Sequence, residues 1–267
     1  MLRTLLTRRW LTALALAVLF AVVAVLLGSW QYSRHEDRVA ARDRVEANYG
    51  ADPVPLEDVL SGPSPLAPSA EWTRVRTTGT YVAGDQLFVR NRPHGGTFGY
   101  EVLVPLETAQ GPLAVDRGWA PNAENAATLP EVPPAPDDQV VVTGWLRPAE
   151  EDLDRGLPAG QLASINLETM SEQWDRPVLG GYLILESEEY AGAPGAVIDR
   201  PLPLAEPRTG LGAHFAYSLQ WWLTAPVGLV LVLVMARRES REAQDDQGGD
   251  ARPVQRKKVR IWDEEDG

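Results

Sequence analysis

Residues 11–29 read LTALALAVLFAVVAVLLGS, a run from Leu11 to Ser29 without a charged side chain. At about 1.5 Å rise per residue a helix of that length crosses a hydrocarbon core of about 30 Å. A cleaved signal peptide has a shorter apolar region and an A-x-A site, which is missing before Gln31, so the run reads as a retained membrane anchor. A second run, Ala213 to Ala236, has the same character. The sequence therefore predicts an α+β membrane protein in which two transmembrane helices flank one antiparallel β-rich extracytoplasmic domain. The expected boundaries are 1–10 for a cytoplasmic N-terminus, 11–30 for the first span and 31–212 for the domain. The second span is expected at 213–236 and a cytoplasmic disordered tail at 237–267.

Arg3, Arg8 and Arg9 precede the first span, and Arg237, Arg238 and Arg241 follow the second. The positive-inside bias then places both termini in the cytoplasm and the middle outside. Residues 31–212 carry 28 Asp plus Glu against 14 Arg and no Lys, a net charge of −14 in a chain whose total is −12. That balance argues against nucleic acid and against anionic head groups as partners. The preference for Arg over Lys, with abundant Ala and Gly, points to a GC-rich bacterial genome and hence to the plasma membrane. With no cysteine in the chain, a disulfide, a thiolate metal site, a thiol nucleophile and a C-x-x-C-H haem attachment are all excluded. Any redox role needs a borrowed cofactor.

Between the spans, residues 34–50 alternate charges and read as a short solvated helix or a plain spacer. Pro53 to Pro68 reads as a semi-rigid connector with a small helical insert at Leu56 to Leu60. Period-two or short apolar runs follow at Thr73–Val82, Gln86–Arg90, Tyr100–Leu106, Pro112–Asp116, Val140–Leu146, Gln161–Ile165, Tyr182–Leu185 and Gly195–Ile198. One helical pattern lies at Glu168 to Trp174. Ala123 to Asp138 has the composition of a long surface loop.

Imidazole and sulfur ligands are scarce: His35, His94 and His214, with Met at 1, 170 and 235. Neither His35 nor His94 lies near a nucleophile motif, so an extracytoplasmic hydrolase is the weaker class. Glu150, Glu151, Asp152 and Asp154 read as a solvated acidic loop rather than a cation site. Arg90, Arg92 and Arg117 stand at strand ends; they either clamp a carboxylate or propionate or pair internally with Asp85, Glu101 or Asp116. His214 differs from these because it stands at the outer end of the second span, where an ionisable residue is a functional hypothesis by default. Tyr217 and Trp221 lie at i+3 and i+7 from it, on one helical face. An aromatic belt accounts for Tyr217, Trp221 and Trp222 but not for the imidazole, which is the commonest axial ligand of haem iron. Pro226 is expected to kink the span, and Gly28 and Ser29 to let the two helices approach closely.

Taken together, the motifs resemble the surfeit locus family, the assembly factors of cytochrome c oxidase. The likeness runs through Gly28, Trp30, Gln31 and Arg34, then Val89, Asn91 and Arg92, Gly99 and Tyr100, and Pro105 and Leu106. It continues through Arg117, Gly118, Trp119 and Pro121, and ends with His214, Tyr217, Gln220 and Trp221. The resemblance implies a non-enzymatic factor that matures the catalytic subunit of an aa3-type oxidase by holding or delivering haem a. It implies His214 as axial ligand of the haem iron, Tyr217 and Trp221 as ring contacts, and Trp30 and Gln31 as the rest of the pocket. The alternative is a haem-free membrane scaffold that stabilises an oxidase assembly intermediate. Two positions depart from the family pattern: Gly212, where Asn is frequent, and Phe215, where Leu is common.

Overall fold

The computed structural model describes residues 5–124 and 128–248. Asn125, part of the expected Ala123–Asp138 loop, and the tail beyond Gly248 lie outside the described residues. The chain divides into two compact units, Arg38–Gly210 and a second formed by the residues up to Asp37 with those from Leu211 onward.

Helix α1 runs from Arg8 to Asn48, so residues 34–48 are helical rather than a plain spacer. Eight β-strands follow in the first unit: β1 Val54–Pro55, β2 Arg74–Tyr81, β3 Leu87–His94, β4 Thr97–Thr108, β5 Gly111–Pro121, β6 Val140–Arg147, β7 Gln161–Leu162 and β8 Tyr182–Tyr190. Helix α2, Leu167–Trp174, lies between β7 and β8; its Asn166 cap accepts the Thr169 amide proton at 3.0 Å. Strand neighbours run β1-β2-β6-β8-β5-β4-β3-β7, and β2 pairs again with β4. That second pairing closes β2, β6, β8, β5 and β4 into a five-membered ring, a barrel-like sheet.

The sheet is not wholly antiparallel, which corrects the expectation from sequence. β5 and β8 run parallel, as do β1 with β2 and β3 with β7. Tight hairpins enforce antiparallel pairing, whereas the long connection from β5 to β8 leaves the direction free. Gly195–Ile198 forms no strand: Gly195 takes φ +86° in a turn and Val197 is exposed. Ala123 to Asp138 is also more than surface loop, because Leu129, Val132 and Ala135 pack on the barrel core.

Alternation explains the packing. β2 and β6 point every second side chain inward, toward a core that includes Val75, Val102, Leu106, Val115, Val142 and Leu183. β5 is buried along nearly its whole length, since its outer face meets a second cluster of Leu87, Leu103, Ala114, Ile165, Met170 and Trp174 carried partly by α2.

In the second unit, the N-terminal part of α1 lies antiparallel to α3, His214–Thr224, and α4, Val227–Gly248. The helix is interrupted at Ala225 and Pro226, as the missing proline N–H requires. α4 continues to Gly248, so residues 237–248 are helical where the sequence reading expected a disordered tail. On α1 the inward positions recur at alternating steps of three and four: Ala17, Ala21, Ala24, Gly28, Gln31 and His35 are buried or half-buried. Leu16, Leu19, Val22 and Leu26, on the other faces, are exposed. Both helices are long and apolar enough to cross a membrane, and little of either is buried within the chain. Small inward residues and an apolar exterior are the pattern of a membrane helix pair.

Candidate functional site

In the barrel unit, the three arginines singled out in the sequence find partners among the domain's own residues. The Nε of Arg92 lies 3.0 Å from Glu101 Oε2, and its Nη2 lies 2.5 Å from Glu150 Oε2. Glu150 also accepts the Ile165 amide proton at 2.8 Å, so it is an internal partner and not a solvated loop carboxylate. Arg117 pairs with Glu188 at 2.6 Å, a partner that sequence reasoning did not name. Arg90 donates to Gln161 Oε1 at 2.9 Å and lies over the Tyr100 ring. The internal alternative therefore holds for Arg92 and Arg117.

The same region buries acids. Asp116 is buried, its Oδ1 accepts the Gly118 amide proton at 3.0 Å, and its Oδ2 has no partner. Burial pushes its carboxyl well above the usual range, and neighbouring Glu101 adds to the rise. Burial likewise pushes Glu101 up to about 7, with repulsion from Glu150 adding to it and Arg92 opposing it. Trp119 is buried; its indole N–H donates to the Arg92 carbonyl at 2.8 Å, and its ring stacks on His94. Hence Trp119 of the R-G-W motif ties β5 to the β3–β4 hairpin through a hydrogen bond and a stacked ring.

At the end of the helix pair that carries Gln31 and His214, polar and aromatic groups converge. His214 Nδ1 lies 2.9 Å from Gln31 Oε1. With the amide oxygen facing it, a neutral His214 in this arrangement donates from Nδ1 and keeps its lone pair on Nε2. Around them, Tyr32 packs on Trp222 with ring centroids 5.7 Å apart, and His35 packs on Phe215 at 5.2 Å. The Nδ1 of His35 is buried and has no hydrogen-bond partner. Gly28 permits this packing: a Cβ there would stand 2.4 Å from Trp222 Cδ1, so any larger side chain displaces the indole.

Of the predicted pocket residues, His214 and Gln31 are thus brought into contact, and Trp221, seven residues after His214 on α3, is half-buried. Tyr217 and Trp30 are 52% and 54% exposed and point away from the seam; Trp30 lies under the Arg34 guanidinium at 5.9 Å. Tyr32, His35, Phe215 and Trp222 lie on the same stretches of the two helices and were not assigned to the pocket from sequence. The signal was the seam itself, since Gly28, Gln31 and His35 follow the three-and-four spacing set by Ala17, Ala21 and Ala24. Among the described residues no cluster of three or more His, Cys, Asp or Glu suited to a metal ion occurs.

The SURF1 family model matches residues 18–225, from within the first apolar run to Ala225. The chain belongs to the SURF1 family. An uncharacterised SURF1-like protein of Mycobacterium bovis is 28% identical over 230 residues, covering 82% of each chain. One of Mycobacterium tuberculosis matches to the same extent. A SURF1-like protein of Rickettsia conorii is 23% identical over 226 residues, covering 81% of this chain and 87% of its own. Membership of the SURF1 family also puts the departure at Gly212 in a physical light. Gly212 has φ +66°, the left-handed region where Gly is unstrained and Asn is the side chain most readily accommodated. Gly212 is therefore unstrained in the turn that precedes α3, and a Cβ there would meet the His214 ring at 3.4 Å.

Proposed function

We propose that this chain is an assembly factor for an aa3-type cytochrome c oxidase, and that it binds or delivers haem a to the catalytic subunit through His214. The family is generally linked to oxidase assembly, which supports the coarser part of this reading. The observation that supports the finer part is the His214–Gln31 contact at 2.9 Å, which engages Nδ1 and leaves Nε2 as the nitrogen available to a metal. His214 would hold the iron, with Trp221 and the neighbouring rings excluding water; Gln31 holds the imidazole in place. Haem a, if bound, would be held by the neutral imidazole of His214 and would supply the iron that accepts its lone pair. No residue is assigned a catalytic step, and the role is that of a chaperone, not an enzyme.

In this reading the helices are transmembrane, the chain sits in the plasma membrane with both termini in the cytoplasm, and the barrel faces outward. The partner is the oxidase catalytic subunit or an intermediate of its assembly. One observation favours the haem-free scaffold instead: the Trp222 indole fills the space over Gly28 where the helices approach. The test is to purify the protein from cells making haem a and record its absorption spectrum. His214→Ala is expected to lose the bound haem with both helices intact. A His214→Ala protein that carries as much haem a as wild type, with an unmoved Soret band, overturns haem ligation by this residue.

A further inference from the structure

We infer that Gln31 is the positioning residue for His214: its side-chain carbonyl, reaching across from α1, fixes which imidazole nitrogen bears the proton. The inference rests on the proposed ligand role of His214, but its first consequence is independent of any cofactor. A neutral imidazole carries one N–H and one lone pair, and an unpartnered ring in water is free to exchange the two. Gln31 Oε1 accepts at 2.9 Å from Nδ1, so the proton is held there. Nε2 is then the only ring nitrogen able to ligate, and the ring plane is set by the same bond.

Several features make Gln31 the fixing partner. It occupies the inward seam of α1, seven residues after Ala24 and fourteen after Ala17, so helix packing dictates where its side chain reaches. It is half-buried, which limits competition from water. On its other side the ring lies against the Gly212 turn, whose hypothetical Cβ would touch the imidazole Cδ2 at 3.4 Å. A residue that bonds the remote nitrogen of a metal-binding imidazole fixes its tautomer and tunes its basicity, and losing such a bond typically lowers affinity about 10–100-fold. Gln and Glu both present an oxygen at this length, whereas Leu fills the same space without an acceptor.

Nitrogen-15 NMR of the full chain in detergent micelles, above the titration range of imidazole, reads the tautomer directly. Wild type is expected to show His214 protonated on Nδ1, with Gln31→Leu shifting it toward the Nε2–H form and Gln31→Glu restoring Nδ1–H. His35 and His94 provide internal references. After loading with haem a, Gln31→Leu is expected to bind at least about tenfold more weakly. Gln31→Glu is expected to bind but to lower the haem reduction potential, because a carboxylate makes the imidazole a stronger donor. A wild-type His214 protonated on Nε2, or a tautomer unchanged in Gln31→Leu, overturns the inference. Equal affinity and potential in all three proteins also overturns it while leaving haem binding standing. Failure of wild type to bind haem, with the tautomer responding as expected, instead refutes the haem reading and spares the role of Gln31.

Discussion

Arg117 and Glu188 form an ion pair sealed inside the barrel unit, Nη2 to Oε1 at 2.6 Å, with side chains 0% and 2% exposed. β5 and β8 bring the two together, and the rest of both head groups is used as well. Tyr81 donates its hydroxyl proton to Glu188 Oε2 at 2.7 Å, and burial holds that phenol protonated well beyond its usual range. Arg117 donates further to the carbonyls of Pro133 and Asp199, in the two loops that cross this face. The pair thus ties together β2, β5, β8 and both loops.

Removing one partner leaves the other charge buried and uncompensated, which costs roughly 3–5 kcal/mol. Glu188→Gln is therefore expected to reduce membrane abundance and melting temperature sharply. The double change Arg117→Met with Glu188→Leu is expected to recover part of the loss, because it removes both charges. A Glu188→Gln protein with wild-type melting temperature would show that the pair contributes no net stability.

Stability of the barrel is expected to fall as pH rises from about 4.5 to about 7. Glu101 keeps its proton in the folded protein up to about 7, whereas the unfolded chain releases it near the ordinary 4.5. Within that window the native state binds more protons than the unfolded state, so raising the pH favours unfolding. The shift is worth on the order of 1–3 kcal/mol, and Asp116, whose carboxyl is raised in the same direction, adds to it. Melting the full chain in detergent at pH 5 and pH 8 tests this, with Glu101→Gln expected to flatten the slope. Equal melting temperatures at the two pH values would contradict it.

The register of the helix pair predicts a cross-link. A Cβ built on Gly228 stands 3.6 Å from the Cβ of Ala17, inside the range that a disulfide spans. The chain has no native cysteine, so Ala17→Cys with Gly228→Cys gives a clean background. Mild oxidation of membranes is expected to close the loop and raise gel mobility. Gly28→Leu in the same chain is expected to suppress closure by pushing Trp222 out of the seam. Efficient cross-linking despite Gly28→Leu would mean that Gly28 does not set the approach.

Topology is open to a direct test. A reporter active only in the cytoplasm is expected to work when fused to either terminus, given Arg8, Arg9, Arg237 and Arg238 at that end of the pair. Inserted at Gly192, in an exposed loop after β8, it is expected to be silent. Activity at Gly192 would reverse the orientation.

The sequence alone determined the two apolar helices, the break at Pro226, the helix at α2 and the places of seven of the eight strands, with β2, β4, β6 and β7 read over most of their length. Those signals are local: an uncharged run, a missing N–H or an alternation of period two is written in neighbouring residues. It also singled out His214, because an imidazole beside an apolar run is anomalous wherever the chain later folds; Gln31 entered only through the family resemblance. Tertiary structure alone decided that β5 pairs parallel with β8, that β2 and β4 close the ring and that Glu188 rather than Asp116 neutralises Arg117. It also decided that Glu101 sits buried enough to hold its proton and that the amide of Gln31 meets Nδ1 of His214 across 183 positions of chain. These are properties of groups distant in sequence, and their partners exist only once the backbone has brought them within hydrogen-bonding range and removed the water between them.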